Sequence, residues 1–140
     1  MRLGDHPGLT GPQRQILQRE LPGASVTADL GWGGQYATVL AVEHEGRQLT
    51  VKATGPQDHH AGREIHAYRA WVGPLAATGD APAPVLLNEE SHLLVLEHLP
   101  GRIVVGDPAQ DLPDTYCQAG ELTARLHAVQ AVPADGAYWA

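Results

Sequence analysis

The sequence has the size and composition of one small acidic domain. It has 140 residues, a mass of 14.9 kDa and a formal net charge of −7 at pH 7. An acidic domain is not attracted to nucleic acid or to an anionic membrane, so neither is expected as its main partner. One cysteine excludes an intrachain disulfide, and no apolar run approaches about 18 residues. With no apolar leader at the N-terminus, these features predict a cytoplasmic location.

Residues 1–24 are predicted to contain one helix, from about 12 to 21. Thr10 is a suitable N-cap, and Gln13 stands three residues later, as in a capping box. Pro22-Gly23 would end the helix. Three apolar side chains are expected to be buried: Ile16, Leu17 and Leu21.

Three strands follow, at about 25–30, 36–44 and 47–53, because these runs are rich in Val, Thr, Leu and Tyr. Gly46 supplies the positive φ that a tight hairpin between the last two strands requires. The third strand carries Lys52 within an apolar string. Burying an ammonium there is costly unless a counter-charge lies nearby.

A helix is predicted from Asp58, as its cap, to about Val72, where Gly73-Pro74 would end it. Its apolar stripe contains Ala61, Ile65, Tyr68 and Val72. Glu64 lies at the edge of that stripe, so its carboxylate leans toward the surface on which the helix packs. Three further side chains are expected to face water: Arg63, His66 and Arg69.

The second half of the sheet is predicted from a strand pair at about 85–88 and 92–97, after a loop at 73–84. The run at 92–97 is nearly all apolar, as in a strand buried on both faces. A linker at 101–111 leads to a helix at 112–129, whose apolar face would contain Leu122, Leu126 and Val129. The predicted fold is therefore α+β, with a five-stranded antiparallel sheet at 25–99 and a linker with a C-terminal helix at 100–140.

Five segments in this order resemble the aminoglycoside phosphotransferase and choline-kinase-like branch of the kinase fold. They are Gly31-Trp32-Gly33-Gly34-Gln35, Lys52, Arg63-Glu64-Ile65-His66-Ala67-Tyr68, the hinge-like Leu94-Val95-Leu96-Glu97-His98-Leu99-Pro100-Gly101, and Glu121-Leu122-Thr123-Ala124-Arg125-Leu126-His127. No single segment is specific, but together they span most of the chain. The resemblance implies one kinase-like nucleotide-binding lobe with a hinge and the first helix of a second lobe.

The resemblance implies a site for ATP or GTP with Mg²⁺. Its residues would be Gly31, Gly33, Gly34, Gln35, Lys52, Glu64, Glu97 and Leu99. The glycines would let backbone N–H groups approach the phosphates, and Lys52, held by Glu64, would contact the α- and β-phosphates. The backbone C=O of Glu97 and N–H of Leu99 would contact the adenine edge. Each of these roles has an alternative. Lys52 could be an edge residue with its ammonium in water, Glu64 a solvated glutamate on the helix surface, and the glycines a flexible hairpin tip.

Three departures from the family pattern limit the predicted activity. Tyr36 stands where a third glycine is usual, and Thr50 stands where a small apolar residue often faces adenine. No His-Gly-Asp follows His127, so the catalytic base and the metal-binding Asp are not among these residues. The chain is thus predicted to be the nucleotide-binding portion of a small-molecule phosphotransferase, acting on a hydroxyl acceptor only with a C-terminal lobe. The alternative is a non-catalytic binding module, dimerising through 112–129, or half of a split kinase.

Three histidines and the cysteine are expected to have ordinary structural roles. His59, His60 and His66 are expected to face solvent rather than hold a metal, because adjacent histidines point apart and no Cys or close group of Asp and Glu completes a first shell. Cys117 lies on a helix rich in Ala and Leu, so it is expected to be a small buried side chain rather than a nucleophile.

Overall fold

The computed structural model describes residues 1–31 and 37–129. Within them, five strands, β1 to β5, cover Ser25–Asp29, Ala37–His44, Arg47–Thr54, Pro84–Asn88 and Leu93–Glu97. The described residues also form four α-helices, α1 to α4, which cover Gly11–Glu20, His60–Ala67, Gly73–Ala77 and Pro113–Ala128. Short 3₁₀-helices at Leu3–Asp5 and Pro108–Asp111 precede α1 and α4. The α+β class is confirmed.

The five strands form one antiparallel sheet in the order β1-β2-β3-β5-β4, which puts β3 in the middle. β2 and β3 pair from Ala37 opposite Thr54 to His44 opposite Arg47. Glu45 and Gly46, between them, have φ values of 51° and 78°. Two consecutive positive φ values give a turn whose twist matches that of antiparallel strands. The predicted hairpin is therefore confirmed, and Glu45 shares the left-handed conformation that was expected only of Gly46.

The two faces of the sheet are covered by different helices. The larger apolar cluster joins one face to α1 and to the N-terminal segment. It contains Leu3, Leu9, Leu17, Leu21, Ala24, Leu40, Val42, Leu49, Val51, Ala53, Leu93 and Val95. The smaller cluster joins the other face to α2, through Ile65, Leu94 and Leu96. β5 thus contributes side chains to both clusters, which explains why residues 93–96 are all apolar and all buried.

Gln13 of α1 connects the helix to the sheet. It completes the predicted capping box: its N–H donates to Thr10 Oγ1 (3.4 Å), and its Oε1 accepts from the Thr10 N–H (2.9 Å). Its Nε2 also donates to the carbonyl oxygens of Thr54 (2.9 Å) and Ser91 (2.8 Å). Because the side chain is only 2% exposed, these bonds satisfy buried groups at the end of β3 and in the β4–β5 turn.

The helical path after α2 is longer than the sequence predicts. A π-helical turn at Tyr68–Val72 follows α2, and α3 then begins at Gly73 and ends at Ala77. The predicted end at Gly73-Pro74, and a loop over the whole of 73–84, are therefore wrong. Pro74 falls in the first turn of α3, where a backbone N–H is not needed and the fixed φ of proline suits the helix.

α4 lies largely in solvent. Apart from Thr115, all of its residues are exposed, and Leu122 and Leu126 keep 44% and 43% of their accessible surface. The predicted helix is confirmed, but its apolar face is not covered by any described residue. Cys117 is exposed for the same reason, so the expectation that it is buried is wrong. No helix among the described residues is long and apolar enough to cross a membrane.

Candidate functional site

Lys52 and Glu64 form an ion pair between the central strand and α2. The ammonium of Lys52 donates to Oε2 of Glu64. Side chains alternate along a strand, and Val51 and Ala53 enter the cluster that faces α1, so Lys52 points to the α2 side. The Lys52 and Glu64 side chains remain 32% and 29% exposed, which places the pair at the border between protein and solvent. The structure thus brings together the two charges that the sequence predicted to meet.

The ammonium keeps hydrogen-bonding capacity beyond this pair. Lys52 is the only lysine in the sequence. An ammonium has three donors, and within residues 1–31 and 37–129 Glu64 is its only hydrogen-bond partner. Two donors and part of the positive charge can therefore face an anion that approaches from solvent. This is the geometry that phosphate binding by Lys52 would require.

α2 is anchored so that Glu64 faces β3. At its start, the His60 N–H donates to Oδ1 of Asp58 (2.7 Å). One turn apart, Ala61 and Ile65 are 1% and 0% exposed, and Ile65 packs in the smaller cluster. Residues three and four apart lie on one helix face, so the buried stripe fixes the rotation of α2 and hence the direction of Glu64.

Tyr68 lies one turn beyond Glu64 and packs, partly buried, against the smaller cluster. Burial, and then the nearby Glu64 carboxylate, raise the pKa of its phenol above the usual 10.0. Tyr68 is consequently neutral at physiological pH. Tyr68 therefore adds no charge beside the Lys52–Glu64 pair.

The glycine segment is described only at its first residue. Gly31 follows β1, and its N–H donates to Oδ1 of Asp29 (2.8 Å), a local bond that turns the chain away from the strand. The candidate residues Gly33, Gly34 and Gln35, with Trp32 and Tyr36, lie outside the described residues. Their predicted contacts with phosphates stay a prediction.

The hinge-like segment is attached to the first residues of β3. The Glu97 N–H donates to the Ala83 carbonyl oxygen (2.8 Å), and its carboxylate accepts from Arg47 Nη2 (2.7 Å). The His98 N–H donates to the Gln48 carbonyl oxygen (3.1 Å). Glu97 ends β5, whereas Leu99 lies beyond the sheet and is 40% exposed. The two predicted adenine-contacting residues thus lie on either side of His98, which is bonded to the start of β3, and their role stays a prediction.

Asp58, His59 and His60 lie close together at the start of α2. One ligand atom from each lies within 4.8 Å of the others, and the two imidazole rings are 4.2 Å apart. The expectations that the adjacent histidines point apart and that no Asp or Glu lies close to them are therefore wrong. The helical backbone at His59 brings the two rings together at a tilt of 35°. His59 and His60 are exposed, as expected, and one Asp58 oxygen already accepts the His60 N–H.

A further ion pair, which the sequence does not reveal, joins α4 to the loop after α3. Arg125 Nη1 donates to both carboxylate oxygens of Asp80, each at 2.8 Å, and Thr78 Oγ1 donates to Oδ2 (2.9 Å). The Arg125 hydrogen bond, followed by that of Thr78, holds the pKa of Asp80 below its usual 3.8. The same bond raises the pKa of Arg125. The two residues are 45 positions apart, so no local spacing could have paired them.

Comparison with known families agrees with this architecture. A model of the phosphotransferase enzyme family matches residues 30–140, which include four of the five strands, α2 and α4. The chain belongs to this phosphotransferase family. The predicted resemblance to aminoglycoside phosphotransferase-like kinases is thereby confirmed. A search of curated proteins gave no match. The phosphotransferase assignment therefore comes from the family pattern and from the kinase-like order of sheet, lysine strand and glutamate helix.

Proposed function

We propose that this phosphotransferase-family chain binds a purine nucleoside triphosphate, with Lys52 as the phosphate-binding cation and Glu64 as the residue that positions it. The observation that carries the proposal is the half-buried Lys52–Glu64 pair between the central strand and α2. A strand lysine held by a helix carboxylate is the arrangement that kinases use to hold the α- and β-phosphates.

The other nucleotide contacts are proposed around this pair. Backbone N–H groups of Gly33, Gly34 and Gln35 would cover the phosphates, next to Gly31, whose own N–H donates to Asp29. The Glu97 carbonyl and the Leu99 N–H would bind the base. His98, which stands between Glu97 and Leu99, donates its N–H to Gln48, four residues before Lys52 on β3. A nucleotide lying along β3 would therefore reach from the hinge to the lysine.

The reaction to which this site would contribute is transfer of the γ-phosphoryl group to a hydroxyl of a small molecule. The family generally uses ATP with Mg²⁺, which neutralises the phosphates when bound. We assign no base and no ligand of this Mg²⁺ within the 140 residues, since no His-Gly-Asp is present. Completion by a C-terminal lobe would supply both. The nucleotide substrate and the single unpaired cysteine fit a cytoplasmic location.

Nucleotide binding can be tested by thermal unfolding of the whole chain with MgATP. A ligand at 100 times its Kd stabilises the folded state by about 2.7 kcal/mol, so the melting temperature of the wild type should rise by several degrees. Lys52→Ala should abolish the rise. Arg19→Ala is the matched control, because it removes a cation that is 69% exposed on α1, remote from the pair. No rise in the wild type, or an equal rise in Lys52→Ala, would overturn the proposal.

A second candidate function is a non-catalytic module that associates through α4. The observation that favours it is the exposed apolar face, with Leu122 and Leu126 at 44% and 43%. A homodimer, or assembly with the other half of a split kinase, would cover these side chains. Sedimentation of the pure chain tests whether it forms a homodimer. We expect the wild type to sediment as a dimer and Leu122→Glu to sediment as a monomer. A monomer in the wild type at all concentrations would refute it.

A further inference from the structure

Asp58, His59 and His60 form a group of possible metal ligands where the loop after β3 leads into α2. One ligand atom from each side chain lies within 4.8 Å of the other two. Among residues 1–31 and 37–129, this is the only group of three or more such side chains at that spacing. The three residues are consecutive, so the backbone at the start of the helix sets their arrangement.

The Asp58 carboxylate is held in place by the backbone around it. The Asp58 N–H donates to the Gly55 carbonyl oxygen (3.0 Å), which closes the turn after β3. Its Oδ1 accepts the His60 N–H (2.7 Å), and the residue is half-buried. A carboxylate has about four lone-pair sites, so this one bond leaves capacity for an ion. Metal-ligating carboxylates are themselves hydrogen-bonded, which fixes their direction in the same way.

The two imidazole rings lie close together, with their nitrogens open to solvent. The ring centroids of His59 and His60 are 4.2 Å apart, and both residues are exposed. Each neutral imidazole offers one nitrogen as an acceptor. In a tetrahedral zinc site the ligand atoms are about 3.3 Å apart, because Zn–N and Zn–O bonds are about 2.0–2.2 Å long. Small rotations of these exposed side chains would therefore bring the three ligand atoms onto one ion.

The chemistry of the three side chains favours a transition metal ion over Mg²⁺. Imidazole suits zinc, copper and nickel, whereas Mg²⁺ takes a shell of oxygen ligands. Two imidazoles and one carboxylate occupy three positions of a zinc tetrahedron, and water can occupy the fourth. The net charge of −7 adds a general attraction for cations.

We propose that Asp58, His59 and His60 bind one Zn²⁺ ion per chain. The sequence gives two reasons against a metal here, diverging histidines and no nearby carboxylate, and the structure overturns both. A bound ion would join the loop after β3 to the first turn of α2, the connection between the strand of Lys52 and the helix of Glu64. The inference stands on the ligand group alone and does not depend on nucleotide binding.

Calorimetric titration of the whole chain with ZnCl₂, without nucleotide, tests the site. We expect one saturable site per chain, and an excess of Mg²⁺ should not displace the ion. His59→Ala, His60→Ala and Asp58→Asn should each raise the Kd for Zn²⁺ at least tenfold, because loss of even an outer-shell partner costs about 10- to 100-fold. Asp58→Asn keeps an oxygen that can accept the His60 N–H, so the start of α2 is preserved.

Two substitutions serve as controls. His66→Gln removes an exposed imidazole from the same helix, outside the ligand group, and Cys117→Ser removes the exposed thiol of α4. Both variants should bind Zn²⁺ with the Kd of the wild type. Co²⁺ gives an independent readout, because its visible absorption changes when protein ligands replace water. That change should occur in the wild type and in both controls, and it should be lost in the two histidine variants.

Three results would overturn the proposal. The first is the absence of saturable Zn²⁺ binding to the wild type. The second is an unchanged Kd in His59→Ala, His60→Ala or Asp58→Asn, which would show that the substituted side chain is not a ligand. The third is displacement of Zn²⁺ by Mg²⁺, which would indicate a site of oxygen ligands alone. None of these results bears on MgATP binding, which is tested separately through Lys52.

Discussion

Replacing Glu64 by Gln tests the ion pair without removing side-chain volume. The substitution keeps an oxygen that can accept from Lys52 but removes the counter-charge. Breaking a fully buried pair costs about 3–5 kcal/mol, whereas an exposed pair contributes about 0.2–1 kcal/mol. The Lys52 and Glu64 side chains are 32% and 29% exposed, so the pair is partly buried. The loss of unfolding free energy should therefore fall between these limits, at about 1–2 kcal/mol. For a chain of this size the melting temperature should fall by roughly 3–8 °C.

The assay is thermal unfolding without nucleotide, at low and high salt. Glu90→Gln is the matched control, since Glu90 is an exposed glutamate of the β4–β5 turn with no hydrogen bond among the described residues. Its melting temperature should stay within about 1–2 °C of the wild type, as for most surface substitutions. If Glu64→Gln loses no more stability than Glu90→Gln, the reasoning about the pair is refuted.

Three other properties of the chain give predictions. Gln13→Ala should lower the free energy of unfolding in urea by about 1–3 kcal/mol, because the buried carbonyl of Thr54 loses its donor. The pKa of Asp80 is lowered, so its stabilising effect is complete above its unfolded value of 3.8 and is lost as the pH falls through the lower folded value. The melting temperatures of the wild type and Asp80→Asn should therefore differ at pH 6, and the difference should shrink as the pH falls below 3.8. Cys117, being exposed, should react with a thiol reagent in the native chain.

Each of these results has a contrary outcome. Unchanged unfolding of Gln13→Ala would show that water replaces its bonds at no cost. A stability difference between the wild type and Asp80→Asn that does not shrink as the pH falls below 3.8 would mean that the Asp80 carboxylate is not the group responsible. A thiol that reacts only after denaturation would show that α4 is covered in solution.

The sequence predicts those parts of the fold that depend on local periodicity. The hairpin at Gly46 follows from turn chemistry, and the run at 93–96, buried on both faces of the sheet, follows from its continuous apolar sequence. The meeting of Lys52 and Glu64 was predictable because a charge within an apolar strand needs a partner, and the next helix offered a carboxylate beside its buried stripe. In each case the turn, the buried strand or the buried charge could be satisfied by residues close to it in the sequence.

The parts that the sequence does not predict depend on distant or non-standard contacts. Pro74 is a strong helix-stop signal, but a π-helical turn before it lets a new helix begin there. Asp80 and Arg125 meet only once the sheet and α4 are placed. The second role of Gln13, as a buried donor to two carbonyls, required the positions of β3 and the β4–β5 turn.

The most direct test of the central claim observes the Lys52 ammonium itself. Because this is the only lysine of the sequence, chain labelled with ¹⁵N-lysine gives a single Nζ resonance. We expect that resonance to shift on titration with MgATP and with magnesium tripolyphosphate, saturating at the same concentrations as the rise in melting temperature. An Nζ resonance that does not move while MgATP binds would contradict the role of Lys52 in holding the phosphates.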